Sequence, residues 1–177
     1  MSSVQRIDSE ILMYIQENFR NPFFDSLFET ITYLGSGGLI WIILLMSFLF
    51  VKRFRITSFQ MAGALIISSV SGILFLKNII ERPRPFYTVA GLKPLITPSG
   101  YSFPSGHTAS SFAAAFIIFM NLPRKYGIAA LILAVFISFS RIYLGVHYPT
   151  DVFAGFILGA VSAQISKVIW KKTVEGN

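Results

Sequence analysis

No cysteine occurs among the 177 residues. That excludes disulfides, thiolate metal sites and cysteine nucleophiles, and it leaves the redox state of the compartment unreadable. Charge is also scarce: 13% of residues are charged against 54% hydrophobic, far from the balance of a typical water-soluble domain. The shortage is greatest for acids, with 8 Asp and Glu against 15 Lys and Arg, and the net charge of +7 invites a nucleic-acid reading. The distribution argues against it, because the basic residues sit in short clusters between apolar segments and not along one polar face. Met1 to Ile7 lack a basic flank followed by a compact apolar run, so no cleavable signal peptide is expected. Long repeats and low-complexity tracts are missing too.

What the chain has in abundance is uncharged sequence that only a bilayer or a much larger partner would cover. Five segments read as crossings: about Gly37 to Val51, Ile56 to Leu76, Ser105 to Met120, Tyr126 to Ile142, and Thr150 to Trp170. Lys52, Arg53 and Arg55 follow the first, Arg124 and Lys125 follow the third, and Lys171 and Lys172 follow the last; the positive-inside tendency makes these ends cytoplasmic. Alternation then puts the Lys77 to Pro104 loop, the Arg141 to Pro149 turn and the N-terminus on the opposite face.

Ahead of the first crossing, Val4, Ile7, Ile11, Ile15 and Phe19 recur at helical spacing between polar residues, the pattern of an amphipathic helix. Asn21-Pro22 starts a second, with Phe23, Phe24, Leu27, Phe28, Ile31 and Leu34 on its apolar face and Gly35 at its end. Both suit the outer interface. The alternative is one long bent span over residues 22 to 51, which would move the N-terminus inside. Ala64, Ser68 and Gly72, and the Gly155/Gly159 pair, are small-residue stripes suited to close helix packing within the bundle, or to a homodimer contact; oligomeric state stays open. The expected fold is therefore all-α: a polytopic transmembrane helix bundle of about five to six spans. Amphipathic interfacial helices occupy 1–35, the bundle domain 36–172 and a cytoplasmic tail 173–177.

Ionisable residues in a membrane cost on the order of 2.5–3.5 kcal/mol each at its centre, so their placement has a reason. Here Lys77 and Arg84 close the second span, His107 opens the third, Arg141 closes the fourth, and His147 with Asp151 opens the fifth, all at the outer surface. The chain's two histidines both belong to this set. Singly, each residue is equally an interfacial histidine or a cation snorkelling to headgroups.

Their order is more specific. Lys77-x6-Arg84-Pro85, then Pro104-Ser105-Gly106-His107, then Ser140-Arg141-x5-His147-x3-Asp151 resembles the three-part signature of the type 2 phosphatidic acid phosphatase superfamily, over roughly residues 22 to 170. That resemblance implies a membrane lipid phosphatase that needs no cofactor or metal. Its catalytic residues would be His147 as nucleophile, Asp151 orienting the ring, and His107 as acid to the leaving oxygen and then base to water. Lys77, Arg84, Ser105, Gly106 and Arg141 would hold the phosphate. The chemistry agrees with these roles. Several fixed cations suit a transferring phosphoryl group, and a Ser105 N-cap would leave the Gly106 and His107 amides free for an oxyanion. Pro149 would start the last helix just after His147, with Asp151 in its first turn. Histidine with carboxylate also suits a metal, but three adjacent cations would repel one.

Arg82 falls out of register with the motif and reads as a headgroup contact or a partner of Glu81. The Phe86 to Phe103 loop, with Tyr87, Lys93 and Tyr101, reads equally as a cover or grip for the leaving group and as a plain tether. The implied substrates are polyprenyl pyrophosphates, phosphatidylglycerophosphate, phosphatidate and diacylglycerol pyrophosphate. The implied setting is the cell membrane, with the site on the extracytoplasmic face. Two other functions share the same residues: a phosphotransferase with a lipid or sugar acceptor, and a non-catalytic headgroup binder or transporter. Intact His107, His147 and Asp151 argue against the second, since binding needs only the cations.

The orientation is directly testable, because single cysteines are unambiguous in a cysteine-free chain. An impermeant thiol reagent should label a cysteine at position 93 in intact cells and not one at position 125; the reverse pattern would invert the topology.

Overall fold

The computed structural model describes residues 3–175. Its helices are α1 (Ser3–Phe19), α2 (Pro22–Gly35), α3 (Leu39–Phe50), α4 (Arg55–Ser69), α5 (Lys77–Ile80), α6 (Pro85–Thr88), α7 (Gly106–Asn121), α8 (Arg124–Tyr143) and α9 (Pro149–Glu175). Among the described residues there is no strand. The all-α reading holds, and each of the five apolar segments is helical.

Helix α7 occupies the centre, packed by α4, α8 and α9. Its inward faces are small, with Ala113, Ala114 and Ala115 fully buried, so neighbouring backbones approach closely. The tightest approach is to α9. A Cβ built on Gly159 would lie 2.6 Å from the Ala109 carbonyl oxygen and 2.9 Å from the Ala113 nitrogen, and one on Gly155 would lie 2.7 Å from the Ser105 carbonyl oxygen. The Gly155/Gly159 stripe thus packs within the chain. At 16 residues, α7 is about 24 Å long.

Four segments of the described residues are long and apolar enough to cross a membrane: Pro22–Phe50, Lys52–Thr88, Arg124–Tyr143 and Pro149–Lys171. Burial runs opposite to that of a domain in water. Ile66, Ile132, Phe136, Phe153 and Ile157 are exposed, whereas Ser58, Ser111, Ser138, Ser162 and Ser166 are buried. These buried hydroxyls are hydrogen-bonded, as a hydrocarbon surround requires: Trp41 donates to Ser111 Oγ at 2.9 Å, and Ser166 Oγ to the Gln60 carbonyl at 2.8 Å. The chain is a multi-pass membrane protein.

Helices α2 and α3 form one bent segment. Asn21 Oδ1 caps α2 by accepting from Phe24 N, Pro22 takes its first position, and Gly37 and Gly38, with φ of 59° and 74°, make the kink before α3. The bend does not move the N-terminus to the far side. Asp8 of α1 bonds Arg82 and Thr150, at the same end of the bundle as His147. Helix α1 is amphipathic, yet the face it buries carries Asp8, Leu12 and Ile15, while Val4, Ile7 and Ile11 point outward. Of the expected tail 173–177, residues 173–175 continue α9; residues 176 and 177, like residues 1 and 2 of the N-terminal segment, lie outside the described residues.

Substituting Gly159 by Val should push α9 off the α7 backbone and cost on the order of 1–3 kcal/mol or more. Thermal unfolding in detergent measures it, and an unchanged Tm would mean that the two helices are not in this contact.

Candidate active site

The second span reaches the site through an irregular turn. Residues Val70–Leu76 wind as a π-helix, with Lys77 N bonded to the Gly72 carbonyl, and Lys77 follows this widened turn. The helix ends at Glu81, whose φ of 47° is the left-handed conformation, and the chain reverses so that Arg82 and Arg84 follow. Arg84 is buried and held mainly by backbone carbonyls. Its Nε donates to Gly100 O at 2.9 Å, and its two terminal nitrogens to Val146 O and Ser99 O, each at 3.0 Å. Lys77 Nζ donates to Tyr101 O at 3.0 Å. Arg141, near the end of α8, donates to Thr32 Oγ1 at 2.5 Å, while its buried Nε has no partner among the described residues. None of these three cations forms an ion pair among the described residues.

They line one cavity of about 670 Å³ with Gly106, His107 and His147. Six of the eight candidate site residues therefore share a wall. The other two lie behind it, fully buried. Ser105 caps α7, its Oγ accepting from Thr108 N at 3.4 Å and Thr108 Oγ1 at 2.9 Å, so its part is to hold the helix end that presents Gly106 and His107. Asp151 is at the third position of α9 and accepts from Tyr148 N at 2.9 Å, the reciprocal half of a capping box.

Asp151 also stands 3.6 Å from His147 Nδ1, which leaves His147 Nε2 on the cavity side, 3.4 Å from an Arg84 terminal nitrogen. This places the ring's reactive nitrogen among the cations and its other nitrogen against the carboxylate. Burial, aided by Arg141 and Arg84 and opposed by Asp151, pushes the His147 pKa down from 6.5 to about 4. Its imidazole is neutral at physiological pH, and with Nδ1 toward Asp151 the unprotonated nitrogen is Nε2. His107 Nε2 lies 3.5 Å from Ser36 Oγ at the α2–α3 kink. Among the described residues no group of three or more His, Asp and Glu is placed to hold a metal ion.

Sequence reasoning misread or missed several participants. Arg82 forms no ion pair with Glu81 among the described residues: it bridges Asp151 Oδ1 at 2.6 Å and Asp8 Oδ2 at 2.8 Å, with its guanidinium 3.7 Å from the Tyr148 ring centroid. Ser102 donates to Asp151 Oδ2 and stands 3.4 Å from His147 Nδ1. The Phe86 to Phe103 loop is thus no plain tether, because residues 99–102 hold Arg84, Lys77 and Asp151 in place. Thr32 and Ser36 carried no signal beyond being hydroxyls at a helix end.

The cavity continues away from the cations along Ile42, Leu45, Leu65, Ile66 and Val70, between α3 and α4. A second cavity, of about 740 Å³, reaches His107 and Arg141 from the other side, past Ser26, Glu29, Thr30, Thr32 and Tyr33 of α2. The site is thereby open to apolar and to hydroxyl-rich surroundings.

Nitrogen-15 NMR should resolve two histidine rings, with His147 neutral through physiological pH and gaining a proton only near about 4. A midpoint at its ordinary 6.5 would mean that the ring is solvated and not enclosed as described.

Residues 53–175 match the sequence model of the PAP2 superfamily. The chain is 35% identical over 124 residues to an undecaprenyl-diphosphatase of Sulfolobus acidocaldarius, covering 68% of this chain and 59% of that protein. It is 39% identical over 94 residues to phosphatidylglycerophosphatase B of Bacillus subtilis, covering 48% and 44%. These matches span about half the length of those two relatives. A lipid A 4'-phosphatase of Bacteroides thetaiotaomicron is 30% identical over 167 residues, covering 86% of this chain and 72% of that protein. In structure, Aquifex aeolicus LpxE superposes with a TM-score of 0.78 at 29% identity over 94% of this chain and 95% of that one. The PAP2-type phosphatidylglycerolphosphate phosphatase of Bacillus subtilis gives 0.80 at 29% identity over 97% and 88%. Motif order, a shared helical architecture and the match over residues 53–175 agree: this chain belongs to the PAP2 superfamily.

Proposed function

We propose that the protein hydrolyses the terminal phosphate of a membrane lipid, a phosphomonoester or pyrophosphate, through a phosphohistidine at His147. One observation carries the reading. Two buried arginines and the half-buried Lys77, without ion-pair partners among the described residues, meet Nε2 of a neutral histidine at the head of a cavity whose other end is apolar and lies between two membrane helices. A phosphate dianion completes the charge balance, and a lipid tail fits the α3–α4 branch.

In the first half-reaction His147 Nε2 attacks phosphorus as the bond to the leaving oxygen breaks. His107 donates its proton to that oxygen, and Lys77, Arg84 and Arg141 stabilise the equatorial oxygens. Asp151 steadies the charge that the ring acquires, as a carboxylate orients the histidine of a serine protease. In the second half-reaction His107 takes a proton from water, whose oxygen attacks the phosphohistidine, and inorganic phosphate and neutral His147 are regenerated. We assign this chemistry to the domain spanning 36–172 and to the extracytoplasmic face of the cell membrane, supported by the basic residues of the opposite loops. The relatives' names point to polyprenyl diphosphates, phosphatidylglycerophosphate and lipid A as substrate classes. A second reading, phosphoryl transfer to an alcohol, is favoured by the hydroxyl-rich cavity that reaches His107; product formation that depends on an added acceptor distinguishes it.

Phosphate release from a panel of lipid phosphates by purified protein, in liposomes with excess EDTA, should show turnover. Loss of turnover with rescue by one divalent ion would overturn the mechanism. His147→Ala and His107→Ala should both abolish lipid turnover. An aryl phosphate with an acidic phenol, which needs little protonation, should restore single-turnover phenol release in His107→Ala alone. Equal rescue of both variants would mean that the two roles are misassigned.

A further inference from the structure

Helix α1 enters the site through one buried carboxylate. Asp8 is 1% exposed and accepts from Thr150 N at 3.1 Å, Thr150 Oγ1 at 2.5 Å and an Arg82 terminal nitrogen at 2.8 Å. It therefore caps the start of α9, one residue before Asp151. The other terminal nitrogen of Arg82 donates to Asp151 Oδ1 at 2.6 Å and to Thr150 Oγ1 at 2.7 Å. The guanidinium lies over the Tyr148 ring at 3.7 Å, and the Tyr148 hydroxyl is 2.5 Å from Thr88 Oγ1. Arginine's planar fork suits this task, since its two ends engage two carboxylates in fixed relative orientation and lysine offers no such geometry.

An isolated surface helix has no need of a buried acid. The apolar contacts of Leu12 and Ile15 already seat α1, and Gln16 adds hydrogen bonds to the backbone at Lys93 and Gly91. Asp8 does something those contacts do not: it takes part of Arg82's charge away from Asp151. Without Asp8, Arg82 would neutralise Asp151 more fully. Without Arg82, two buried carboxylates would face each other across Thr150, and Asp151 would lose the partner opposite His147.

We propose that Asp8 and Arg82 are positioning residues for the reaction, a relay in which helix α1 sets the orientation and the available charge of Asp151 and, through it, of His147. This rests on the reading of His147 as nucleophile. Neither residue lines the phosphate cavity, so neither is expected to bind substrate. The charged and polar groups facing His147 and Asp151 from the surrounding elements are Lys77, Arg84, Ser102, His107 and Arg141, all of which stay in place in the test.

The test uses full-length protein with Asp8→Asn, Arg82→Gln and the double variant, each checked by thermal unfolding. Arg82→Gln should lower kcat roughly 10- to 100-fold with KM little changed, the usual scale for partners that orient a functional side chain. Asp8→Asn should cause a smaller loss of kcat. Because Asp8 acts through Arg82, the double variant should be no worse than Arg82→Gln. A purely structural role would not move the His147 titration seen by nitrogen-15 NMR. The relay moves it in opposite directions: upward in Arg82→Gln, where a cation is lost, and downward in Asp8→Asn, where an anion is lost. If Arg82→Gln does not fold, the Asp8→Asn titration decides alone. Additive losses, a raised KM at unchanged kcat, or an unmoved His147 midpoint would overturn the relay. The titration needs no turnover. Shifted midpoints without phosphohistidine would therefore sink the assignment of His147 while leaving the relay, and labelled His147 with unmoved midpoints would do the reverse.

Discussion

Three cations, Lys77, Arg84 and Arg141, are drawn into one cavity without a carboxylate among the described residues paired to any of them, and most of the local architecture serves to make that tolerable. A buried charge left alone costs several kcal/mol. Here backbone and hydroxyl dipoles meet it: the carbonyls of Ser99, Gly100 and Val146 for Arg84, that of Tyr101 for Lys77, and the Thr32 hydroxyl for Arg141. Dipoles stabilise a cation without cancelling its charge. The cavity accordingly remains positive, as a phosphate site must, and the loop 99–102, the turn before α9 and helix α2 are each fixed in position by the need to supply those dipoles.

The negative charge that is present is kept out of the cavity. Asp151 is enclosed by Ser102, Tyr148 N, Arg82 and the His147 ring, and it reaches the cavity only through that ring. The helix end that presents Gly106 and His107 is fastened to this centre as well, since Ser105 N donates to the Asp151 carbonyl at 3.1 Å. One residue thus joins α7 to α9 where the two PAP2 motifs meet. Close packing of Gly155 and Gly159 on α7 holds the same pair of helices further into the bundle.

The helices were legible because a bilayer demands uninterrupted apolar segments, and the motif was legible because its residues recur in fixed order and spacing. What escaped shares a physical cause: each missed contact joins residues far apart in sequence, and neither partner stands out alone. Arg82 is two residues from a motif arginine, but its meaning comes from Asp8, 74 residues earlier in a helix whose pattern pointed to the apolar face. Ser102 is one serine in a loop without periodicity. The buried face of α1 was misjudged for the same reason, since a period of 3.6 identifies an amphipathic helix without saying whether its charged edge meets water or a buried arginine. For α2 and α3, Gly35 marked the end of α2 correctly, while hydropathy alone could not tell a kink from the edge of an interfacial helix.

The central claim is that the cation cavity presents phosphate to Nε2 of His147 while Asp151 holds Nδ1. Rapid acid-free quenching of protein mixed with a phosphorus-32 lipid phosphate, followed by peptide mapping and phosphorus NMR of the labelled histidine, tests it most directly. The account predicts one acid-labile, base-stable phosphoryl group on His147, attached at Nε2. Label on His107, attachment at Nδ1, or turnover without any phosphohistidine would contradict it.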